Sequence, residues 1–294
     1  MNKFVGTGVA LITPFKSDLS VDYDALTRLV EYNISNGIEY LVISGTTGES
    51  VTVNNAEKKS ITEHIIKVNN GRLPLVLGIG GNNTMAVIDE INTTDLSKID
   101  ALLSVAPYYS KPTQEGLYEH FKAVSEVSPV PIIVYNVPGR TSKNMEPSTT
   151  IRLANDFDNI IAVKEAGNNM AQYYDLLKHK PADFHVISGD DDLALGVAIA
   201  GGSGVISVIG QALPSEFSEM IRLGLKGNSK DAFKIHYDLM AITKLIFSEN
   251  NPAGIKAVLS ALDISDSFVR LPLVEATSVL KIAIQEELQH LGKR

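Results

Sequence analysis

The sequence predicts an α/β fold: a closed (β/α)8 barrel of the TIM type, carrying a C-terminal three-helix appendage. Three observations lead there. Eight short apolar runs rich in Val and Ile recur up to about residue 210. Segments with helical spacing of apolar residues separate them. Beyond the helix that begins at Pro214, about 65 residues carry no strand signal at all. Each run is nearly continuous rather than alternating, which suits strands buried on both faces, as parallel strands are. Eight strand–helix units in series suit closure into a barrel of ordinary length. A doubly wound open sheet is the alternative the same pattern allows.

The elements follow in order. "TGVALITPF" (7–15) reads as the first strand. A secretory signal is its rival, but Gly and Thr interrupt the apolar stretch and no small-residue cleavage site follows. Leu26, Leu29, Val30 and Ile34 then mark one helical face, and Gly37 stands where a helix end favours a left-handed residue. "YLVISG" (40–45) is the second strand. Asn54 and Glu57 have the spacing of a capping box, and Ile61, Ile65 and Val68 give the buried face of the helix they start, with Gly71 at its end. "PLVLGIGG" (74–81) and "ALLSVAPYY" (101–109) are strands three and four, and Leu117, Phe121 and Val124 mark the helix after them. "PIIVYNVP" (131–138), "IIAVKEAG" (160–167), "HVISGDD" (185–191) and "GVISVIG" (204–210) complete the set. Segments 231–247, 252–262 and 275–291 read as helices. The predicted division is a catalytic barrel over 1–228 and a helical region over 229–294. No Gly/Ser-rich linker separates them, so the second should pack on the first.

Composition narrows the function. The 294 residues are 44% hydrophobic and carry a net charge of −8 with scattered Lys and Arg, which gives no basic face for nucleic acid. No apolar run approaches the roughly 18 residues of a membrane span. Cysteine is absent, so thiolate nucleophiles, thiolate metal sites and disulfides are excluded. The acidic, cysteine-free, signal-free chain points to the cytoplasm. The histidines at 64, 120, 179, 185, 236 and 290 show no metal spacing.

In a barrel of this kind the chemistry sits at the C-terminal strand ends. Those ends read "SGTTGES", "PYYSKP", "YNVPGRT", "KEAG", "SGDDD" and "VISVIG". The polar residues expected to converge are therefore Thr46, Thr47, Tyr108, Tyr109, Tyr135, Arg140 and Lys164. Lys164 follows four apolar residues. An amine among apolar walls loses solvation, which favours its neutral form. A neutral amine attacks carbonyl carbon and forms a Schiff base, and the iminium then serves as an electron sink without a metal. The bland reading is a lysine paired with a buried carboxylate, or one whose ammonium reaches solvent. Glu165, the next residue on the strand, should point to the opposite face and serve packing against the helices. Tyr135 and the Thr46–Thr47 pair offer hydroxyls for a proton relay, although strand-end tyrosines are also common packing residues. Arg140 has the donor fork that suits a substrate carboxylate. Three motifs are weak. "GIGG" (78–81) lacks the third glycine of a dinucleotide fingerprint, "GGSG" (201–204) reads as a tight turn, and "DDD" (190–192) reads as an acidic helix N-terminus rather than a cation site.

Taken together, "GTTGES", "PYY", "YNVPGRT", "VKEA", "SGDD" and "GVISV", in this order over essentially the whole chain, resemble the dihydrodipicolinate synthases of the pyruvate-dependent class I aldolase superfamily. The resemblance implies a Schiff base between Lys164 and pyruvate, and a relay through Tyr135 and Thr46. It implies that Tyr109 completes this relay from a neighbouring subunit of a homo-oligomer, commonly a tetramer. Thr46 and Thr47 would hold the pyruvate carboxylate. Arg140 would hold the carboxylate of aspartate β-semialdehyde, and Gly189 and Ile206 would line the pocket. No metal or organic cofactor is implied. N-acetylneuraminate lyases are similar to this chain but lack the arginine of "GRT". The resemblance also has departures. Feedback-inhibited members carry two histidines where this chain has Asn55 and Lys58, and a glutamate where it has Ala86, whereas Ser50, Asn82 and Tyr108 match. Weak or absent inhibition by L-lysine is implied. Ala253 and Gly254 replace a bulkier pair in "NPAGIKAVL".

Overall fold

The computed structural model of the chain describes residues 3–293, so residues 1, 2 and 294 of the expected ranges lie outside the described residues. Eight parallel strands close on themselves in sequential order: β1 (Gly6–Ala10), β2 (Tyr40–Ile43), β3 (Leu75–Gly78), β4 (Ala101–Val105), β5 (Ile132–Asn136), β6 (Ile160–Glu165), β7 (His185–Ser188) and β8 (Gly204–Ser207). β1 pairs with β8, and this pairing removes the open-sheet alternative. Helices α1 (Tyr23–Ser35), α2 (Asn55–Asn69), α3 (Thr84–Thr93), α4 (Gln114–Val127), α5 (Pro138–Thr141), α6 (Pro147–Asp156), α7 (Met170–His179), α8 (Ala194–Ile199) and α9 (Pro214–Leu225) fill the connections. The box predicted at Asn54 and Glu57 is formed in both directions.

Alternation along each strand sorts side chains into two layers. Ala162, Ile133, Val42, Val76, Ile187 and Ile206 face into the barrel and pack on one another. Val163, Val134, Leu41 and Val186 face outward into the continuous layer under the helices. β5 and β6 are paired so that Tyr135 lies beside Lys164 and Asn136 beside Glu165.

The first strand is shorter than predicted. It ends at Ala10, although the apolar run continues to Phe15. Past that point the ladder gives way to a side chain: Ile12 N–H donates to Gln211 Oε1, and Gln211 Nε2 donates to the carbonyl of Ala10. Pro14 has no N–H to extend a ladder. A long-range glutamine substituting for a neighbouring strand leaves no trace in local periodicity.

After α9, three further helices follow: α10 (Ser229–Ser248), α11 (Ala253–Ala261) and α12 (Ser278–His290). α10 packs along α9, and α11 and α12 pack on α10. Small Gly254 has a physical reason. A Cβ there would come within 2.2 Å of the Ile246 carbonyl of α10, so the two helices meet closely only without it. Residues 253–259 are all buried, so α11 lies inside the molecule rather than upon it.

Candidate active site

Lys164 is the fifth residue of β6 and shares the inward side with Ala162. Only 5% of it is exposed. Its Nζ lies 4.3 Å from the centroid of the Tyr135 ring. Burial pulls its pKa from 10.5 to about 8; the Arg140 charge pulls the same way, and the Asp191 carboxylate opposes them. At neutral pH this leaves about a tenth of the amine uncharged, against about three parts in ten thousand for a free lysine. Gly189 makes room for the chain. A Cβ there would stand 2.9 Å from Lys164 Cε and 2.8 Å from Ala166 Cβ. Ile206 is buried in the inner layer and supplies an apolar wall.

Tyr135 is buried beside the lysine, and its hydroxyl is hydrogen-bonded to Thr46. Burial raises its pKa, while the Arg140 charge and the Thr46 bond oppose the rise. A phenol held protonated in this way can donate a proton or accept a hydrogen bond. Thr47 is buried, and its hydroxyl accepts from Asn251 Nδ2 at 2.9 Å, a residue of the turn between α10 and α11. Arg140 occupies α5, one turn of helix started by Pro138, and its side chain is exposed at the rim. Its field nonetheless reaches both Lys164 and Tyr135. Tyr108 is half-buried after β4. Tyr109 is 88% exposed and adopts a left-handed backbone with φ of 71°. Thr46, Thr47, Tyr135, Arg140, Lys164, Gly189 and Ile206 thus gather at one end of the barrel, whereas the Tyr109 ring points into solvent.

The aspartate cluster differs in part from the sequence expectation. Asp190 caps the turn leading into α8, its carboxylate accepting from the Asp192 N–H at 3.1 Å, although α8 itself begins at Ala194 without a side-chain cap. Asp191 turns inward instead. Its carboxylate accepts from the N–H groups of Val208 and Ile209, with Oδ2 at 3.0 Å from each, and from the Ser207 side chain. Burial pushes its pKa up to about 6. It therefore ties the end of β7 to the end of β8 and is the counter-charge felt by Lys164. Among the described residues, no group of three or more His, Asp or Glu is placed to hold a metal ion. "GGSG" is the tight turn expected, with Gly201 and Gly204 both at positive φ.

Glu165 points away from Lys164, as the strand alternation requires. Its Oε2 accepts from Asn136 Nδ2 at 2.8 Å and from Gln172 Nε2 at 2.9 Å. Asn136 and Gln172 both bond Asn144, and Asn136 Oδ1 accepts from Met145 N–H. Tyr173 donates to the Glu165 carbonyl. Burial raises the Glu165 pKa against these bonds. The network fixes the segment that follows α5, so Glu165 steadies the base of the Arg140 turn. Its partners lie up to 29 positions away, which is why packing alone was legible in the sequence.

The dihydrodipicolinate synthetase family matches residues 3–291, nearly all of the chain. The chain belongs to that family. A 4-hydroxy-tetrahydrodipicolinate synthase of Flavobacterium psychrophilum is 54% identical over 293 residues, covering 100% of both chains. A synthase of the same name from Parabacteroides distasonis is 49% identical, covering 98% of this chain and 97% of its own. The crystal structure of dihydrodipicolinate synthase from Thermotoga maritima superposes with a TM-score of 0.97 at 36% identity, covering 99% of this chain and 100% of that one. Membership of the dihydrodipicolinate synthetase family accords with the barrel and with a strand-six lysine at its C-terminal end.

Proposed function

We propose that the chain is a lyase with 4-hydroxy-tetrahydrodipicolinate synthase activity, condensing pyruvate with L-aspartate 4-semialdehyde through a Schiff base on Lys164. The observation that carries this reading is a buried lysine amine, its pKa brought to about 8, lying 4.3 Å from the ring centroid of buried Tyr135. The neutral amine attacks the keto carbon of pyruvate, giving a carbinolamine. Tyr135 donates the proton with which water departs, leaving the iminium. The iminium draws electrons from the adjacent methyl, which loses a proton to the Tyr135 phenolate and becomes the nucleophilic carbon of an enamine. That carbon bonds to the aldehyde carbon of the second substrate, whose oxygen takes the electron pair and a proton from Tyr135 and becomes a hydroxyl. The semialdehyde's own amine then displaces Lys164 from the imine carbon, closing the ring and freeing the lysine.

The other residues fit supporting roles. Thr46 returns protons to Tyr135, and with Thr47 it receives the pyruvate carboxylate. Arg140 at the rim receives the carboxylate of the second substrate through charge-assisted bonds. Gly189 and Ile206 shape the floor. The lysine imine is itself the electron sink, so no metal or organic cofactor takes part. Tyr109, bare and strained on a single chain, serves the relay of a second copy, which makes the working form a homo-oligomer, in keeping with the tetramers of the family. The barrel, residues 1–228, is the catalytic unit, and the helical region, 229–294, packs on it. The reaction belongs to the cytoplasmic diaminopimelate route to lysine. No helix among the described residues is long and apolar enough to cross a membrane.

A coupled assay offering pyruvate with either aspartate semialdehyde or N-acetylmannosamine tests the assignment. Turnover with the semialdehyde is expected; turnover with the sugar alone would overturn it.

The rate of imine formation should rise tenfold per pH unit and level off above about pH 8, because only the neutral amine reacts and its pKa lies there. Asp191→Asn removes the charge that favours the ammonium, so the acidic limb should move to lower pH. A limb that stays in place or moves upward would contradict that role.

Inhibition by L-lysine is expected to be weak. Ala86 is exposed on α3 with no carboxylate to receive an amine. Glu90, one turn on, already faces Lys58 at 3.8 Å. Titrating the coupled assay with lysine checks this, and strong inhibition at submillimolar concentration would refute it.

A further inference from the structure

Thr46 and Thr47 stand on a loop whose shape is set from outside the barrel. The Glu49 N–H closes a turn on the Thr46 carbonyl, and the Thr52 N–H and hydroxyl both return to the Glu49 carbonyl. Glu49 itself adopts φ of 53°, in the left-handed region that is unfavourable for a non-glycine residue. Its side chain turns under the loop and meets Lys256 of α11. The two are 2.5 Å apart, and both side chains are wholly buried. Lys256 Nζ also donates to the Phe268 carbonyl at 2.7 Å and lies 4.2 Å from the Phe15 ring centroid. The second carboxylate oxygen of Glu49 accepts from the Arg270 N–H at 3.0 Å. Arg270 in turn donates to both oxygens of Glu57 and to the carbonyls of Thr52 and Leu19. Asn251, just before α11, holds Thr47.

A buried ion pair is a poor device for stability alone, since desolvating both charges consumes most of the attraction. What it supplies is direction. Each Glu49 oxygen is held by a donor from a different C-terminal segment, so the loop has one placement relative to α11. We propose that Glu49, Lys256 and Arg270 are positioning residues through which the C-terminal helical region sets the threonine loop for the carboxylate of pyruvate. The inference rests on the Schiff-base reading above and goes beyond it, because none of the three reaches the reacting atoms.

The readout is the pyruvate concentration that gives half-maximal borohydride trapping on Lys164, measured beside the unfolding midpoint. Lys256→Met keeps the volume and removes the charge. It should lower the midpoint and raise the half-saturating pyruvate about tenfold or more, since small misplacements of binding groups are costly. The KM for the aldehyde, bound at the Arg140 rim, should stay near that of the wild type. The double variant Glu49→Leu with Lys256→Met replaces the pair by apolar groups. It should regain most of the midpoint while pyruvate stays weakly bound. Should Lys256→Met not fold, Glu49→Gln, which keeps the shape, carries the same expectation. A folded variant lacking the pair with wild-type half-saturation would overturn the inference alone. A wild-type chain that traps no pyruvate would overturn the Schiff-base reading and the inference with it.

Discussion

Lys164→Met is expected to remove turnover, with a loss on the order of 10⁴-fold or more, as deletion of a covalent nucleophile gives elsewhere. Methionine keeps the length and the apolar contacts of the lysine stem while removing the amine. The side chain is nearly fully buried between Gly189 and the Tyr135 ring, so the surrounding packing should persist. Unfolding should occur at or above the wild-type midpoint, because an amine whose desolvation holds its pKa near 8 is stored strain that methionine does not carry. Lys164→Ala should be equally inactive. Steady-state turnover on pyruvate and semialdehyde, with the unfolding curve of each variant alongside, checks this. Full turnover by either variant would end the mechanism.

Tyr135→Phe should be the next most damaging change. The ring stays, so the wall beside Lys164 stays, but the hydroxyl linked to Thr46 is gone. General acid–base catalysis contributes about 10²–10⁴-fold, and kcat should fall within that range. The amine is untouched, so pyruvate should still be trapped on Lys164, but slowly. The KM for pyruvate should change little on the proposal that Thr46 and Thr47 hold the carboxylate. A variant with normal kcat would place the proton relay elsewhere. One with normal kcat and a raised KM would make Tyr135 a binding residue. Tyr109→Phe offers a contrast: its effect on kcat should appear only in the oligomer, because in one chain the Tyr109 ring contacts solvent.

The barrel was legible because its strands are buried on both faces. Continuous Val/Ile runs such as those of β5 and β6 arise from that environment and from few others. Strand order then gave the rim, and the rim gave Lys164, Tyr135, Thr46, Thr47 and Arg140 without any knowledge of side-chain contacts. Three features were not legible. Gln211 completes β1 from 199 positions away, so the end of that strand was read too long. Asp191 looked like a helix start because three aspartates precede a helix, yet it is spent on the backbone of the neighbouring strand end. Lys256 sits in a helix whose apolar residues suggested only a packed surface, and its partner is 207 residues away. All three are polar contacts made between separate elements rather than within one. Periodicity reports which face of an element is buried, but not which distant group a buried polar atom will find. One cue was present: Lys256 interrupts an otherwise apolar helix, as Lys164 interrupts a strand.

The most direct test of the central claim is borohydride reduction of the wild-type chain with pyruvate, followed by mass spectrometry of its peptides across a range of pH. One reduced pyruvyl group per chain, confined to Lys164 and forming with a midpoint near pH 8, is the expected result. A wild-type chain that binds pyruvate without a covalent adduct, or that carries the adduct on another lysine such as Lys256, would contradict it.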